Sequence, residues 1–164
     1  MRTLVVDANV WVAAADAADP FSDESRTFLQ AVARAGWRTA LPAFADVEVA
    51  CALARRLQDA ERALTLTGEL FRSPLLTTHP LTASFLEQAR DVGTRDLLRA
   101  GDALYVTLGE RLACEVVSWD AEMVERSGAS TPTAWLETHV PEAPAAGTGL
   151  DDSGTGETQS RAES

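Results

Sequence analysis

The sequence predicts a three-layer α/β/α sandwich built around a mainly parallel sheet. Short apolar runs rich in β-branched residues, such as residues 4–6 and 114–118, alternate with longer stretches that repeat apolar residues at helical spacing, such as residues 25–35 and 43–57. Runs of the first kind are typical of strands buried on both faces. Their alternation with helices is typical of a parallel sheet whose strands are joined by right-handed crossovers.

Turn-forming residues mark most of the element boundaries, because glycine ends helices and proline can continue neither a helix nor a central strand. Gly36 ends the second helix, and Pro42 ends the second strand. The predicted strands span residues 4–6, 37–41, 75–78 and 114–118. The predicted helices span residues 9–15 (a helix opening or a tight connection), 25–35, 43–57, 59–71, 82–92, 103–112 and 121–126, followed by a strand or a turn and helix at 131–136.

The composition predicts one folded domain over residues 1–140 and a disordered acidic tail over residues 141–164. The chain is 46% hydrophobic and 24% charged, which is ordinary for a globular protein. The tail is made of Pro, Ala, Gly, Ser, Thr and acidic residues, with little to bury. Because no apolar run approaches the roughly 18 residues of a membrane span, we expect a cytoplasmic protein with no membrane partner.

The residue types that are scarce exclude several kinds of site. Cys51 and Cys114 are far apart and have no partner at zinc spacing, so we expect reduced, buried thiols rather than a disulfide or a zinc site. The chain contains 14 arginines and no lysine, which disfavours P-loop enzymes, receiver domains and haloacid dehalogenase hydrolases. A net charge of −11 weakens a nucleic-acid interpretation.

Four acidic residues are the candidate site. Asp7 and Asp120 each follow a predicted buried strand, Glu48 lies in a helix that follows a strand, and Asp102 opens a helix. The carboxyl ends of parallel strands meet at one edge of the sheet, where ligands bind. Clustered carboxylates repel one another unless cations neutralise them, and sites made only of oxygen ligands favour Mg²⁺ or Mn²⁺. Two such ions about 4 Å apart would clamp a phosphoryl group in transfer.

Each acid also has a purely structural interpretation. Asp7, Asp102 and Asp120 are all suited to cap the helix that follows them. Glu48, close to the buried face of its helix, could instead form an ion pair with an arginine.

The four acids and their neighbours resemble the PIN-domain ribonucleases, and within these the VapC toxins of toxin–antitoxin pairs, over about residues 1–140. The resemblance implies that Asp7, Glu48, Asp102 and Asp120 are catalytic residues that bind Mg²⁺ or Mn²⁺ and activate water to cleave RNA. It also implies that Asn9 and Ser118 support the site, that the protein forms a homodimer, and that a cognate antitoxin protein blocks the cleft. The matching segments are Leu4-Val-Val-Asp7-Ala-Asn9, Leu41-Pro-Ala-Phe-Ala-Asp-Val-Glu48, Gly101-Asp102-Ala-Leu-Tyr-Val-Thr-Leu and Val116-Val-Ser118-Trp-Asp120.

Two positions depart from the family pattern. Ala8 stands where the family commonly has Thr or Ser, and Trp119 inserts a bulky side chain between Ser118 and Asp120. Neither departure removes a metal ligand. Two other functions remain open: a catalytically inert PIN-like scaffold that binds a protein partner through its acidic cleft, and a metal-dependent phosphohydrolase acting on small molecules.

Four charged residues near the cluster have weaker claims. Arg95 and Arg99 are candidates for phosphate contacts. We expect Asp96 to form a solvated ion pair with Arg95, and Glu122 to face water.

Overall fold

A computed structural model describes residues 2–140, which form four parallel strands flanked by helices. The strands are β1 (Thr3–Val6), β2 (Arg38–Pro42), β3 (Leu76–His79) and β4 (Val116–Val117), arranged in the order β3-β2-β1-β4. The helices are α1 (Ala8–Ala15), α2 (Ser22–Arg34), α3 (Phe44–Leu57), α4 (Ala60–Leu70), α5 (Ala83–Arg95), α6 (Ala100–Leu112), α7 (Ala121–Ser127) and α8 (Pro132–His139). The predicted three-layer α/β/α architecture is confirmed.

Several element boundaries differ from the predicted ones. Helix α5 continues to Arg95, and α6 begins at Ala100, three residues before the predicted start. The segment at 131–136, open between a strand and a helix, lies mostly in α8, and the side chain of Thr131 accepts a hydrogen bond from the backbone N–H of Ala134. The predicted disordered tail, residues 141–164, lies outside the described residues.

The central strand β1 organises the core. Leu4, Val5 and Val6 are fully buried, and Val5 pairs with Ala40 on one side and with Val116 on the other. Because every apolar side chain of this strand leaves water, burial stabilises it by roughly 1.5–3 kcal/mol per residue. The core around it includes Trp135, Tyr105 and Phe28.

The two cysteines differ from expectation. Both are free thiols, but Cys51 is exposed on α3 rather than buried, while Cys114 is partly buried. Burial raises the pKa of the Cys114 thiol. Cys51 faces solvent because the apolar face of α3 is formed by Ala45, Val49 and Leu53.

Within residues 2–140, none of the helices is both long enough and apolar enough to cross a membrane.

Helix α6 packs against the start of β4 through Gly109. A Cβ atom at this position would overlap Cγ2 of Val116 and lie 3.2 Å from the carbonyl oxygen of Cys114. The absence of a side chain therefore allows the close approach of helix and strand.

We expect Gly109→Ala to lower the free energy of unfolding in urea. Overpacking costs about 1–3 kcal/mol, which outweighs the roughly 1 kcal/mol by which alanine favours a helix over glycine. Gly68→Ala in α4 is the matched control, because a Cβ there meets nothing within 4 Å and should raise stability. A Gly109→Ala protein as stable as the wild type would contradict this account of the packing.

Candidate active site

Asp7 and Ser118 join the carboxyl ends of two neighbouring strands. Strands β1 and β4 pair in parallel, so the residues that follow them meet at one edge of the sheet. The hydroxyl of Ser118 donates a 2.6 Å hydrogen bond to Oδ2 of Asp7 and accepts two others, from Nδ2 of Asn9 at 3.0 Å and from the backbone N–H of Asp120 at 2.9 Å. All three hydrogen-bonding positions of this buried hydroxyl are used.

Asp7 carries a strongly shifted pKa. Its side chain is only 5% exposed, and burial raises its pKa from 3.8 to about 7, opposed by the hydrogen bond from Ser118. The nearby charges of Glu48 and Asp102 raise the pKa further. Asp7 occupies the N-cap position of α1, as the capping interpretation predicted, and the backbone N–H of Asn9 lowers its pKa, although no capping hydrogen bond of ordinary geometry is formed by its side chain.

Glu48 lies one turn into α3 and is held by a tyrosine. The hydroxyl of Tyr105 donates a 2.8 Å hydrogen bond to Oε2 of Glu48. Burial raises the pKa of Glu48 and Asp102 raises it further, while the hydrogen bond from Tyr105 lowers it. The start of α6 lies against this carboxylate, since a Cβ on Gly101 would be 3.7 Å from Oε1 of Glu48. Glu48 is therefore tied to α6 by a neutral donor, whereas the structural alternative had paired it with an arginine.

Asp102 lies inside the first turn of α6, not at its N-cap. The N-cap residue is Arg99, so the prediction that Asp102 could cap this helix is wrong. Burial raises the pKa of Asp102, and the charges of Asp120 and Glu122 raise it further, while Arg99 lowers it. Asp102 thus connects the electrostatics of Asp7 and Glu48 to those of Asp120.

Asp120 has a structural role in addition to its place in the cluster. Its Oδ1 accepts a 2.9 Å hydrogen bond from the backbone N–H of Met123 and caps α7, as the capping interpretation predicted. Its Oδ2 lies 3.5 Å from Nη1 of Arg99. Oδ1 therefore binds the start of α7, and Oδ2 faces the largely exposed guanidinium of Arg99.

Arg99 bridges two acidic residues. Its side chain is 71% exposed and lies 3.5 Å from Asp120 and 3.2 Å from Glu122. Glu122 also pairs with Arg126 at 2.7 Å. The sequence predicts that Glu122 faces water, but its side chain is instead half-buried in an ion-pair network. The spacing of Glu122 and Arg126, four residues apart on one helix, was the sequence signal for that pair.

Arg95 lies in a separate network. It pairs with Asp96 at 2.5 Å and with Glu110 at 2.6 Å. The predicted ion pair of Arg95 and Asp96 is confirmed. The negative charges of Asp96 and Glu110 together neutralise the charge of Arg95. Arg99 contacts its two acids at longer distances, 3.5 and 3.2 Å, and its side chain is more exposed, 71% against 56%, so Arg99 is the better candidate for a phosphate contact.

The acidic side chains of the cluster influence one another's pKa, but they do not converge on a single position. Burial and neighbouring acids raise the pKa of Asp7, Glu48 and Asp102 together. Among residues 2–140, however, no three His, Cys, Asp or Glu side chains converge closely enough to hold an ion as they stand. The donor set consists of carboxylate oxygens, which fits Mg²⁺ or Mn²⁺ and not zinc.

Tyr105 is the site residue that sequence reasoning missed. It lies three residues after Asp102 on the same helix, a spacing that places both side chains on one helical face. That spacing was a usable signal, but the partner of the hydroxyl is 57 residues away in sequence and was not predictable from it.

The fold and site define a parallel α/β domain with a group of acidic side chains at the carboxyl edge of its sheet. The family model of the PIN domain matches residues 4–128, and the chain therefore belongs to the PIN domain family. The resemblance inferred from the four acidic segments is thereby confirmed. The search of curated proteins found no match.

Solved structures with this fold include toxins and toxin–antitoxin complexes. VapC20 of Mycobacterium tuberculosis, a toxin that cleaves the sarcin–ricin loop, is 18% identical with a TM-score of 0.65, covering 74% of this chain and 93% of that chain. VapBC2 of Rickettsia felis, bound to a DNA fragment from its promoter, is 13% identical with a TM-score of 0.60, covering 79% and 96%. A toxin–antitoxin complex from Klebsiella pneumoniae is 18% identical with a TM-score of 0.54, covering 79% and 97%. At these identities the likeness shows the fold.

We expect Asp7→Asn to stabilise the metal-free protein above neutral pH. Because the pKa of Asp7 is raised from 3.8 to about 7, the folded state binds a proton that the unfolded state has released, and stability is lost as pH rises between those values. Asparagine removes this loss and can still accept the hydrogen bond from Ser118. Urea unfolding in EDTA at about pH 8 should show a gain of about 1–4 kcal/mol, and at about pH 4 little difference.

The control for this experiment is Glu69→Gln on α4, which removes an exposed carboxylate away from the cluster. It should leave the pH dependence of unfolding unchanged. If Asp7→Asn and Glu69→Gln gave the same pH dependence as the wild type, the buried charge of Asp7 would not limit stability.

Proposed function

We propose that this chain is a divalent-metal-dependent endoribonuclease that hydrolyses RNA phosphodiester bonds, and that it is the toxin of a toxin–antitoxin pair. The observation that carries the proposal is the buried carboxylate of Asp7, held by Ser118 and placed beside two other acids that raise its pKa. A buried carboxylate among like charges is costly, and such perturbed groups cluster at functional sites. A divalent cation removes that cost.

The roles of the residues follow from their positions. Asp7, Glu48, Asp102 and Asp120 would hold Mg²⁺ or Mn²⁺. When bound, the metal supplies positive charge to the phosphate and activates a water for in-line attack. The carboxylates fix the cation and do not attack the phosphate themselves.

Three neutral side chains position the carboxylates. Asn9 and Ser118 set the orientation of Asp7, and Tyr105 sets that of Glu48. Side chains held in this way are oriented before the cation arrives, which favours binding, although the carboxylates must still move closer together to surround it. Of the two Asp120 oxygens, Oδ2 is the one that would hold the cation, because Oδ1 caps α7, and the exposed guanidinium of Arg99 beside it would contact an RNA phosphate.

The partner proposed for this chain is a cognate antitoxin protein. Support comes from the neighbouring structures, which include toxin–antitoxin complexes of the same fold. The homodimer, the RNA substrate and the cytoplasmic location implied by the sequence are part of the same proposal. A short neighbouring reading frame that encodes a DNA-binding protein would support it.

The first test is Mn²⁺ binding by calorimetry, together with cleavage of RNA in Mg²⁺ or Mn²⁺. The wild type should bind Mn²⁺ and cleave RNA, and Asp7→Asn should lose both, with activity falling by at least about a hundredfold. Glu69→Gln serves again as the control with one exposed carboxylate fewer, and it should retain both properties. A folded wild type that binds no Mn²⁺ would sink the nuclease proposal and favour the inert scaffold.

Tyr105→Phe tests the support of the site separately from its ligands. The ring remains to fill the core, but Glu48 loses its hydrogen-bond donor. Loss of such an outer partner typically weakens metal affinity by about 10–100-fold. Calorimetry should therefore show weaker Mn²⁺ binding by a protein that still folds, and unchanged affinity would show that Tyr105 does not position Glu48.

A further inference from the structure

An aromatic pair lies beside the acidic site. The rings of Phe21 and Trp119 are stacked, with centroids 4.4 Å apart and planes inclined by 17°. Trp119 is the residue between Ser118 and Asp120, so the pair adjoins two members of the site. Phe21 remains 44% exposed, although one of its faces is covered by Trp119. An accessible aromatic ring is therefore stacked on a residue of the segment that carries Ser118 and Asp120.

The inner ring of the pair is fixed by hydrogen bonds. The indole N–H of Trp119 donates to the hydroxyl of Ser25 at 2.8 Å. Its backbone N–H donates to Oδ1 of Asn9 at 3.1 Å. Asn9 also donates to Ser118, so the network that orients Asp7 also holds Trp119.

The outer ring is held by the loop that carries it. The backbone N–H of Phe21 donates to Oδ1 of Asp19 at 2.8 Å. Arg56 of α3 pairs with Asp19 and, at 3.4 Å, with Asp16, which ties this loop to the helix that carries Glu48. A half-exposed phenylalanine on an ordered loop is ready to receive a planar ligand at low entropic cost.

We propose that Phe21, backed by Trp119, is a stacking site for one unpaired nucleobase of the RNA whose phosphodiester bond lies at the carboxylates. This inference rests on the proposed function and adds to it a position at which one base of the substrate is held. Proteins bind unpaired bases by stacking them on aromatic side chains, and this mode tolerates different bases because each has a π-face. The exposed guanidinium of Arg99, next to Asp120, supplies a cation for a flanking phosphate.

An aromatic site is suited to an acidic chain. A net charge of −11 opposes binding through the phosphate backbone alone. Stacking depends little on net charge, so it can supply affinity that the electrostatics of this surface do not. Trp119, between Ser118 and Asp120, supplies the ring on which Phe21 rests.

The test is a double-mutant cycle. It combines the Phe21→Leu substitution in the protein with the removal of single bases from a labelled single-stranded RNA. Binding is followed by fluorescence anisotropy in Ca²⁺, and KM and kcat are measured separately in Mg²⁺ or Mn²⁺. We expect Phe21→Leu to weaken binding and raise KM by about 5–100-fold, with little change in kcat or in Mn²⁺ affinity. An abasic position should weaken binding of the wild type similarly at one site in the RNA, and should add little in Phe21→Leu.

Two variants control for folding and for loss of apolar surface. Phe21→Trp keeps an aromatic ring and should restore binding. Leu64→Ala removes an apolar side chain that is 66% exposed on α4, and should bind RNA as the wild type does.

The outcomes separate this inference from the proposed function. If the wild type binds Mn²⁺ and cleaves RNA but Phe21→Leu retains its affinity and KM, the stacking site is overturned and the nuclease stands. If neither metal binding nor cleavage occurs but the abasic effect still depends on Phe21, the stacking site stands and the nuclease fails. A wild type that binds no RNA overturns the stacking site. So does a Phe21→Leu variant that binds an antitoxin protein more weakly but binds RNA as the wild type does.

Discussion

The hydrogen bond from Ser118 to Asp7 joins the two strands on which the site is built. It places a carboxylate at the carboxyl edge of the sheet, and it opposes the desolvation that raises the pKa of Asp7 to about 7. The same hydroxyl receives donors from Asn9 and Asp120. A single buried oxygen thus connects the end of β1, the start of α1 and the segment after β4, so their relative positions are set together.

Asp120 and Glu48 are each held by a neighbouring group. Asp120 caps α7 with one oxygen and faces Arg99 with the other, and Glu48 accepts from Tyr105. These contacts fix the orientation of the two carboxylates. The arrangement combines ligands that are pre-oriented from outside with charges that a divalent metal would draw together.

The aromatic pair is tied to the same hydrogen-bond network as the first acid. Trp119 belongs both to the segment that carries Asp120 and to the support of Phe21, through contacts with Ser25 and Asn9. The network that orients the first carboxylate therefore also positions the proposed base-stacking surface. Changes in Asn9 would be felt at both places, because one side chain accepts from Trp119 and donates to Ser118.

The α/β architecture and the four candidate acids could be predicted from the sequence, because strand burial and helix spacing are local patterns that residues such as Leu4, Val5 and Asp7 display directly. Features that depend on how helices pack were predicted wrongly: α6 begins before Asp102, and Cys51 lies on the exposed face of α3. The pairing of Tyr105 with Glu48 and the stacking of the two rings could be seen only in the folded chain. Those contacts join residues far apart in the chain, and no local preference encodes which distant side chain will meet them.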